Sequence, residues 1–225
     1  MRGEKKFAKI VFALFFKKIM KKFLIFIAAI FFGGCQFFSN LDLPKTIEDK
    51  MRLARESHDV AILTALAKDE SQGVRANAGG NQFTPEKVLR KLARDESDIV
   101  KSYVASNLKT PQDLFEKFAE NENPKIRWVV ACNPAVDEKT LQKFVEDKSQ
   151  SVQIRLATNK LLSENLMNEM VEKSQPAAVL KLLEHRDISL EILNRVAESS
   201  NQVLKNKAIE KLNEIETRKS SIKNL

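Results

Sequence analysis

Glycine and proline are scarce, six of each in 225 residues, too few for a collagen-like or low-complexity disordered chain. Cysteine and histidine are scarcer still: Cys35 and Cys132, His58 and His185. If Cys35 is committed elsewhere, neither a disulfide nor a four-ligand zinc site can be assembled. The sequence has no phosphate-binding P-loop, no dinucleotide-binding glycine pattern and no HExxH helix, and no glycine-framed elbow marks a nucleophile. These absences point away from the enzyme classes that announce themselves in sequence, and they imply no metal and no cofactor. What remains, 43% hydrophobic and 30% charged residues, suits a chain that folds.

The net charge of +8 invites a nucleic-acid reading, but its location removes the reason for it. Residues 1–34 hold eight basic side chains against the single acid Glu4, and the rest of the chain holds 30 basic and 29 acidic residues. The basicity therefore belongs to the N-terminal segment, and no nucleic-acid partner is expected. From Met20 the order is Lys21 and Lys22, an apolar run Phe23 to Phe32, then Gly33, Gly34 and Cys35. That is the layout of a secretory signal, and ten apolar residues are too few to span a bilayer, which needs about 20. FGGC resembles the lipobox of bacterial lipoproteins, in which the cysteine is lipidated and the signal is cut just before it. The expectation is a signal peptide at 1–34, with Met20 as the true start, then a lipidated Cys35 with a tether at 35–46. The membrane, through that lipid, becomes one partner, and the compartment is the bacterial cell envelope, facing the periplasm or the exterior.

The body repeats every 26 residues. VRANAGGN begins at Val74, VKSYVASN at Val100, IRWVVACN at Ile126 and VQIRLATN at Val152, which puts asparagine at Asn81, Asn107, Asn133 and Asn159, with His185 next in phase. A second block follows each. Its apolar residues keep i, i+3, i+4 spacing, as in Leu89, Leu92, Ala93 and Phe115, Phe118, Ala119, so it reads as a helix with one buried stripe. Thr84, Thr110, Asp137, Ser163 and Ser189 are its expected N-caps. The first block reads as a shorter helix with Val74, Val100, Ile126 and Val152 turned inward. Small residues at Gly79, Ala105, Ala131 and Ala157 lie where backbones must approach. Neither helix can bury its face alone, and stacking the pairs supplies the core.

IRWVVACNPAVDEKTLQKFVEDKS, from Ile126, resembles a unit of the bacterial leucine-rich repeat variant family, and the resemblance covers roughly residues 58–210. It implies an all-α protein, a right-handed α-solenoid of about six 26-residue two-helix repeats, with one short or 3₁₀-like helix and one α-helix per repeat. Two features depart from the family: its usual unit is slightly shorter, and the iron–sulfur cysteine cluster of one member is missing. The solenoid is expected at 47–203 and a capping helix with a polar tail at 204–225.

Candidate chemistry is sparse. The asparagine column reads as a structural ladder, its amides accepting αL geometry and satisfying backbone groups in the turns. Cys132 falls in a small-residue column with Gly80, Ser106 and Thr158 and reads as a packed thiol. His58 reads as exposed beside an N-cap at Asp59. The first-helix residues that change most between repeats carry the only Tyr and the only Trp. The candidate binding strip is therefore Tyr103, Trp128 and Ile154 flanked by Lys101, Arg127 and Arg155, suited to a protein or peptide partner. A membrane-anchored binding scaffold, not an enzyme, is the function this favours; a cell-envelope hydrolase with an unrecognised site is the alternative.

Overall fold

A computed structural model describes residues 43–223, with side chains through residue 218; Cys35, the leader and most of the expected tether lie outside the described residues. From Pro44 onward the chain forms one compact unit. Its helices come in pairs: α1 (Ile47–Glu56) with α2 (Val60–Leu66), α3 (Gln72–Gly80) with α4 (Glu86–Leu92), α5 (Asp98–Ser106) with α6 (Gln112–Ala119), α7 (Pro124–Cys132) with α8 (Glu138–Gln142), α9 (Gln150–Leu156) with α10 (Glu164–Lys173), and α11 (Pro176–Leu182) with α12 (Leu190–Ala197). A longer helix, α13 (Gln202–Lys223), follows. The described residues are all-α, a solenoid of helical repeats.

Helices of five to ten residues are below the length at which an isolated helix is stable in water. Stacking stabilises them instead. The first helices α1, α3, α5, α7, α9 and α11 pack each on the next, burying Val74 and Ala78, Val100 and Val104, Ile126 and Val130, Val152 and Leu156, and Ala178 and Leu182. The second helices add Leu63 and Leu66, Leu89 and Leu92, Phe115 and Phe118, Leu141 and Phe144, Met167 and Met170, and Leu193 and Val196 to the same core. Each fully buried side chain of this size contributes about 1.5–3 kcal/mol. Close approach explains the small-residue column: a Cβ on Gly79 would stand 3.0 Å from Val104 Cγ2, and Ala105 and Ala131 are fully buried at the same phase. In α13 the phase continues with Leu204 and Ala208 buried against the last pair, so this helix acts as the first helix of a further, unpaired repeat.

Three local expectations are corrected. The first helix, expected to be the shorter of each pair, is the longer in the first four, nine or ten residues against five to eight; after the five-residue α8 the chain tightens, Lys143, Phe144 and Val145 each donating to the carbonyl three residues back. Asp137, Ser163 and Ser189 cap α8, α10 and α12 as expected, but α4 and α6 begin one residue later than expected, with Pro85 and Pro111 in the N-cap place. Thr84 and Thr110 instead donate their hydroxyls to the carbonyls of Ala78 and Val104, folding the turn back on the helix before it. Finally, among the described residues no non-glycine residue has positive φ: Asn81, Asn107 and Asn133 are extended, with φ from −73° to −75°, not αL.

The asparagines form a ladder in that extended form. Asn107 Nδ2 donates to the carbonyls of Gly79 and Asn81 at 2.8 Å each, Asn133 Nδ2 to Ala105 at 2.8 Å, and Asn159 Nδ2 to Ala131 at 3.0 Å. Each acceptor belongs to the preceding repeat. Within its own turn each Oδ1 accepts the backbone N–H two residues on, from Phe83, Lys109, Ala135 and Leu161. His185 takes the next rung with its ring, Nε2 lying 2.9 Å from the Asn159 carbonyl and Nδ1 accepting from Asp187 N–H. One side chain thus shapes its own turn and ties it to the one before.

Candidate binding surface

The two helix layers present different faces. On the second-helix face, charges pair from one repeat to the next: Arg90 with Asp113 at 2.7 Å, Lys139 with Glu116 at 3.2 Å, Lys143 with Glu120 at 2.6 Å and Arg195 with Glu172 at 3.3 Å. The Arg90 guanidinium is held charged well above its ordinary range by hydrogen bonds to Asp113 and Glu86. On the first-helix face the exposed residues include the large apolar or aromatic side chains Ile99, Tyr103 and Trp128, with Val129 and Ile154 half-buried, alongside the exposed Asp98, Ser106, Lys125 and Ser151.

Tyr103 is 42% exposed and Trp128 39%. Each is held from the neighbouring repeat. Gly80 has no side chain where Tyr103 lies, since a Cβ there would meet Tyr103 Cδ1 at 3.0 Å. The Arg155 guanidinium stacks on the Trp128 ring, 4.2 Å from its centroid, a cation–π contact that holds the indole in place while leaving part of it to solvent. Arg155 Nε is buried with no hydrogen-bond acceptor.

Two of the expected flanking residues do different work. Arg127 is buried, not on the surface. Its Nε and Nη2 donate to the two Asp147 carboxylate oxygens at 2.7 and 2.8 Å, and its Nη1 to the carbonyls of Asn121 and Glu122 at 2.7 and 3.0 Å. That carboxylate raises the guanidinium above its ordinary value, against the burial that opposes charge. Arg75 repeats the arrangement with Asp95, at 2.7 and 3.0 Å, and with the carbonyls of Asp69 and Glu70. The Arg75 guanidinium in turn holds Asp95 below the usual carboxylate range. In the repeat between them both partners are exchanged at once, Lys101 for arginine and Asn121 for aspartate, and Lys101 turns to Asp98 at 2.7 Å. The expected basic column is thus an internal clamp between the first helix and the turn closing its repeat. It is withdrawn from the binding strip at Arg127, and Lys101 is half-buried in a local pair.

Cys132 occupies a column of side chains that bond the carbonyl three residues back: Ser106 to Tyr103, Thr158 to Arg155, and the Cys132 thiol to Val129 at 3.4 Å. His58 is in the first repeat, its ring 4.3 Å from that of Phe83, and Asp59 caps α2 through the N–H groups of Ala61 and Ile62. His58 and Cys132 are thus set in the first and fourth repeats. Among the described residues no cluster of three His, Cys, Asp or Glu is placed to hold a metal ion, and no helix is long and apolar enough to cross a membrane. Sequence reasoning passed over Leu108 and Leu161, the two most exposed large apolar side chains of the solenoid. They stand in the turns after the ladder asparagines, where helical periodicity carries no signal.

No protein-family model matches the chain, and no curated protein does. Among solved structures, one described as a leucine-rich repeat variant with a novel repetitive protein structural motif is similar, with a TM-score of 0.56 and 20% sequence identity, over 81% of this chain and 73% of that one. At that identity the likeness is one of fold, and the described residues have the α-solenoid fold of the leucine-rich repeat variant.

Proposed function

We propose that this chain is a lipid-anchored scaffold of the bacterial cell envelope, not an enzyme, which holds a protein or peptide partner along its first-helix face. The carrying observation is the asymmetry of the two layers. Four charge pairs link neighbouring repeats on the second-helix face, whereas Tyr103, Trp128 and Ile99 on the other face stay partly bare. Aromatic and arginine side chains are the residues most enriched at binding hot spots. Arg155 holds Trp128 rigidly, which lowers the entropy lost on binding. The strip so defined is Tyr103, Trp128, Ile154 and Arg155, with Lys125 exposed at its margin.

The test is capture from detergent-solubilised envelopes with the purified chain as bait. Trp128→Ala and Tyr103→Ala are expected each to weaken retention of one specific partner by roughly 30-fold, the size of a hot-spot loss. Lys139→Ala, on the opposite face, keeps it. Equal retention by all three variants rejects this face as the binding surface.

Anchoring has its own test, because Cys35 is the thiol assigned to the lipid. Cys35→Ala is expected to abolish incorporation of a fatty-acid analogue and to leave the chain unprocessed or released from membranes, since stable anchoring needs more than one acyl chain on that site. A Cys35→Ala protein that still takes up label and sediments with membranes removes the lipoprotein reading.

A further inference from the structure

The ladder does more than hold repeats together, because it sets five turns in one conformation along one edge. In each, the residue three past the ladder position donates its backbone N–H to the ladder residue's carbonyl: Thr84 to Asn81, Thr110 to Asn107, Val136 to Asn133, Leu162 to Asn159 and Ile188 to His185. The two residues after each ladder position form the tip of its turn, exposed except for the half-buried Phe83 and Ala135. Through the four asparagine turns those tips read Gln82 and Phe83, Leu108 and Lys109, Pro134 and Ala135, Lys160 and Leu161. They contain two lysines, no acid, and leucines that are 62% and 63% exposed.

The opposite edge has another chemistry. Its turns, residues 68–71, 94–97, 120–123 and 146–149, read KDES, RDES, ENEN and EDKS. They hold no apolar residue, and Glu70, Glu96, Glu122 and Glu146 are exposed there. The solenoid is therefore polarised from edge to edge.

We propose that the edge carrying Leu108, Lys109, Lys160 and Leu161 lies against an anionic lipid bilayer. Side chains at the tips of a row of turns can enter the interfacial region while the backbone stays at the level of water and headgroups, and the ladder already engages one N–H of each tip, those of Phe83, Lys109, Ala135 and Leu161. Lysines beside them gain from the negative surface potential of anionic lipid, which falls off within a Debye length and so rewards charges held at the surface. Lys109 has its ammonium 5.6 Å from the centre of the Phe83 ring, joining neighbouring tips. Acids enter only at the two ends of the row, Glu56 in the turn before Asn81 and Asp187 in the turn of His185, and each is paired with the arginine beside it, Arg55 and Arg186. With this edge down, the acidic edge faces away from the membrane and the Tyr103 and Trp128 face stands beside the bilayer, accessible to a partner. The proposal goes beyond the tethered reading above and takes from it only the nearness of a membrane.

Orientation is what must be measured, because the basic, apolar leader binds lipid whatever the solenoid does. In the full chain, with Trp128→Phe removing the native reporter, a single tryptophan is placed by Leu161→Trp, by Leu108→Trp or, on the opposite edge, by Glu96→Trp. Vesicles of phosphatidylethanolamine and phosphatidylglycerol are added. The expected result is a shift of the 161 and 108 emission to shorter wavelength with quenching by nitroxide-labelled acyl chains, and no change at 96. Adding Lys109→Glu and Lys160→Glu is expected to abolish that shift, as is replacing the anionic lipid with phosphatidylcholine. A chain that sediments with the vesicles while its reporter at 161 behaves like the one at 96 overturns the proposal, leaving the tether intact and the edge free for a protein. Failure of the tether itself reads out separately, as loss of fatty-acid label at Cys35.

Discussion

Replacing Arg127 with alanine is expected to destabilise the solenoid by about 3–5 kcal/mol, the range for breaking one side of a buried ion pair. The side chains of Arg127 and Asp147 are 5% and 6% exposed, so water cannot take over what the guanidinium does. Four acceptors depend on it: both Asp147 oxygens and the carbonyls of Asn121 and Glu122. Alanine leaves a buried carboxylate whose remaining hydrogen bond is the N–H of Ser149. For a domain of this size, each kcal/mol lowers the melting temperature by about 2–4 °C, so the fall is on the order of 10 °C. Arg75→Ala is expected to cost less, because Arg75 and Asp95 are 15% and 10% exposed and water reaches the orphaned group. The third repeat supplies a control of the mechanism. There neither arginine nor aspartate is present, Lys101 and Asn121 standing in their places with Lys101 paired to Asp98; removing both partners in the fourth repeat, Arg127→Ala with Asp147→Asn, leaves no unpaired buried charge and should cost less than the sum of the two single changes. Thermal melts of the four proteins decide it. If the double change is as unstable as the sum of its parts, the pair is not the coupled unit described.

The same pair shows where sequence reasoning succeeds and where it stops. The 26-residue period, the apolar stripes and the small-residue column were legible because each is a local pattern repeated at fixed spacing, and stacking is the only way to bury such stripes. Arg127 was misplaced because a lone arginine beside an aromatic looks like surface, and its partner stands twenty residues downstream in another turn. A signal for it did exist: Arg75 with Asp95, Lys101 with Asn121 and Arg127 with Asp147 change together. Matching the caps by residue type put Thr84 and Thr110 among them, whereas strict phase aligns Pro85 and Pro111 with Asp137 and Ser163, as the helix starts require. The exposure of Tyr103 and Trp128 depended on which side of a nine-residue helix faces its neighbour. A short helix flanked by two others leaves too narrow a polar arc for periodicity alone to place it.

The ladder carries the second large effect. Asn133→Ala is expected to cost about 1–3 kcal/mol, the penalty for leaving buried polar groups unpaired. The side chain is nearly fully buried, and its loss orphans the Ala105 carbonyl in the preceding repeat and the Ala135 N–H in its own turn. Asn107→Ala should be at least as severe, since Asn107 Nδ2 serves two carbonyls, those of Gly79 and Asn81, both at 2.8 Å. Aspartate at either position separates the two roles of the amide. It keeps the acceptor for the turn but removes the donor, and it turns a carboxylate toward backbone carbonyls of the neighbouring repeat, so it should cost more than alanine at neutral pH. Position 185 tests the reverse exchange: His185→Asn restores the residue of the other rungs and should be tolerated within about 1 kcal/mol, because an amide supplies the same donor and acceptor as the ring. Lys109→Ala, on the exposed tip of the same turn as Asn107, is expected to stay within about 0.5 kcal/mol. A solenoid in which Asn133→Ala and Lys109→Ala melt alike would be held by its apolar stack alone, and the row of turns would then owe its common conformation to something other than these amides.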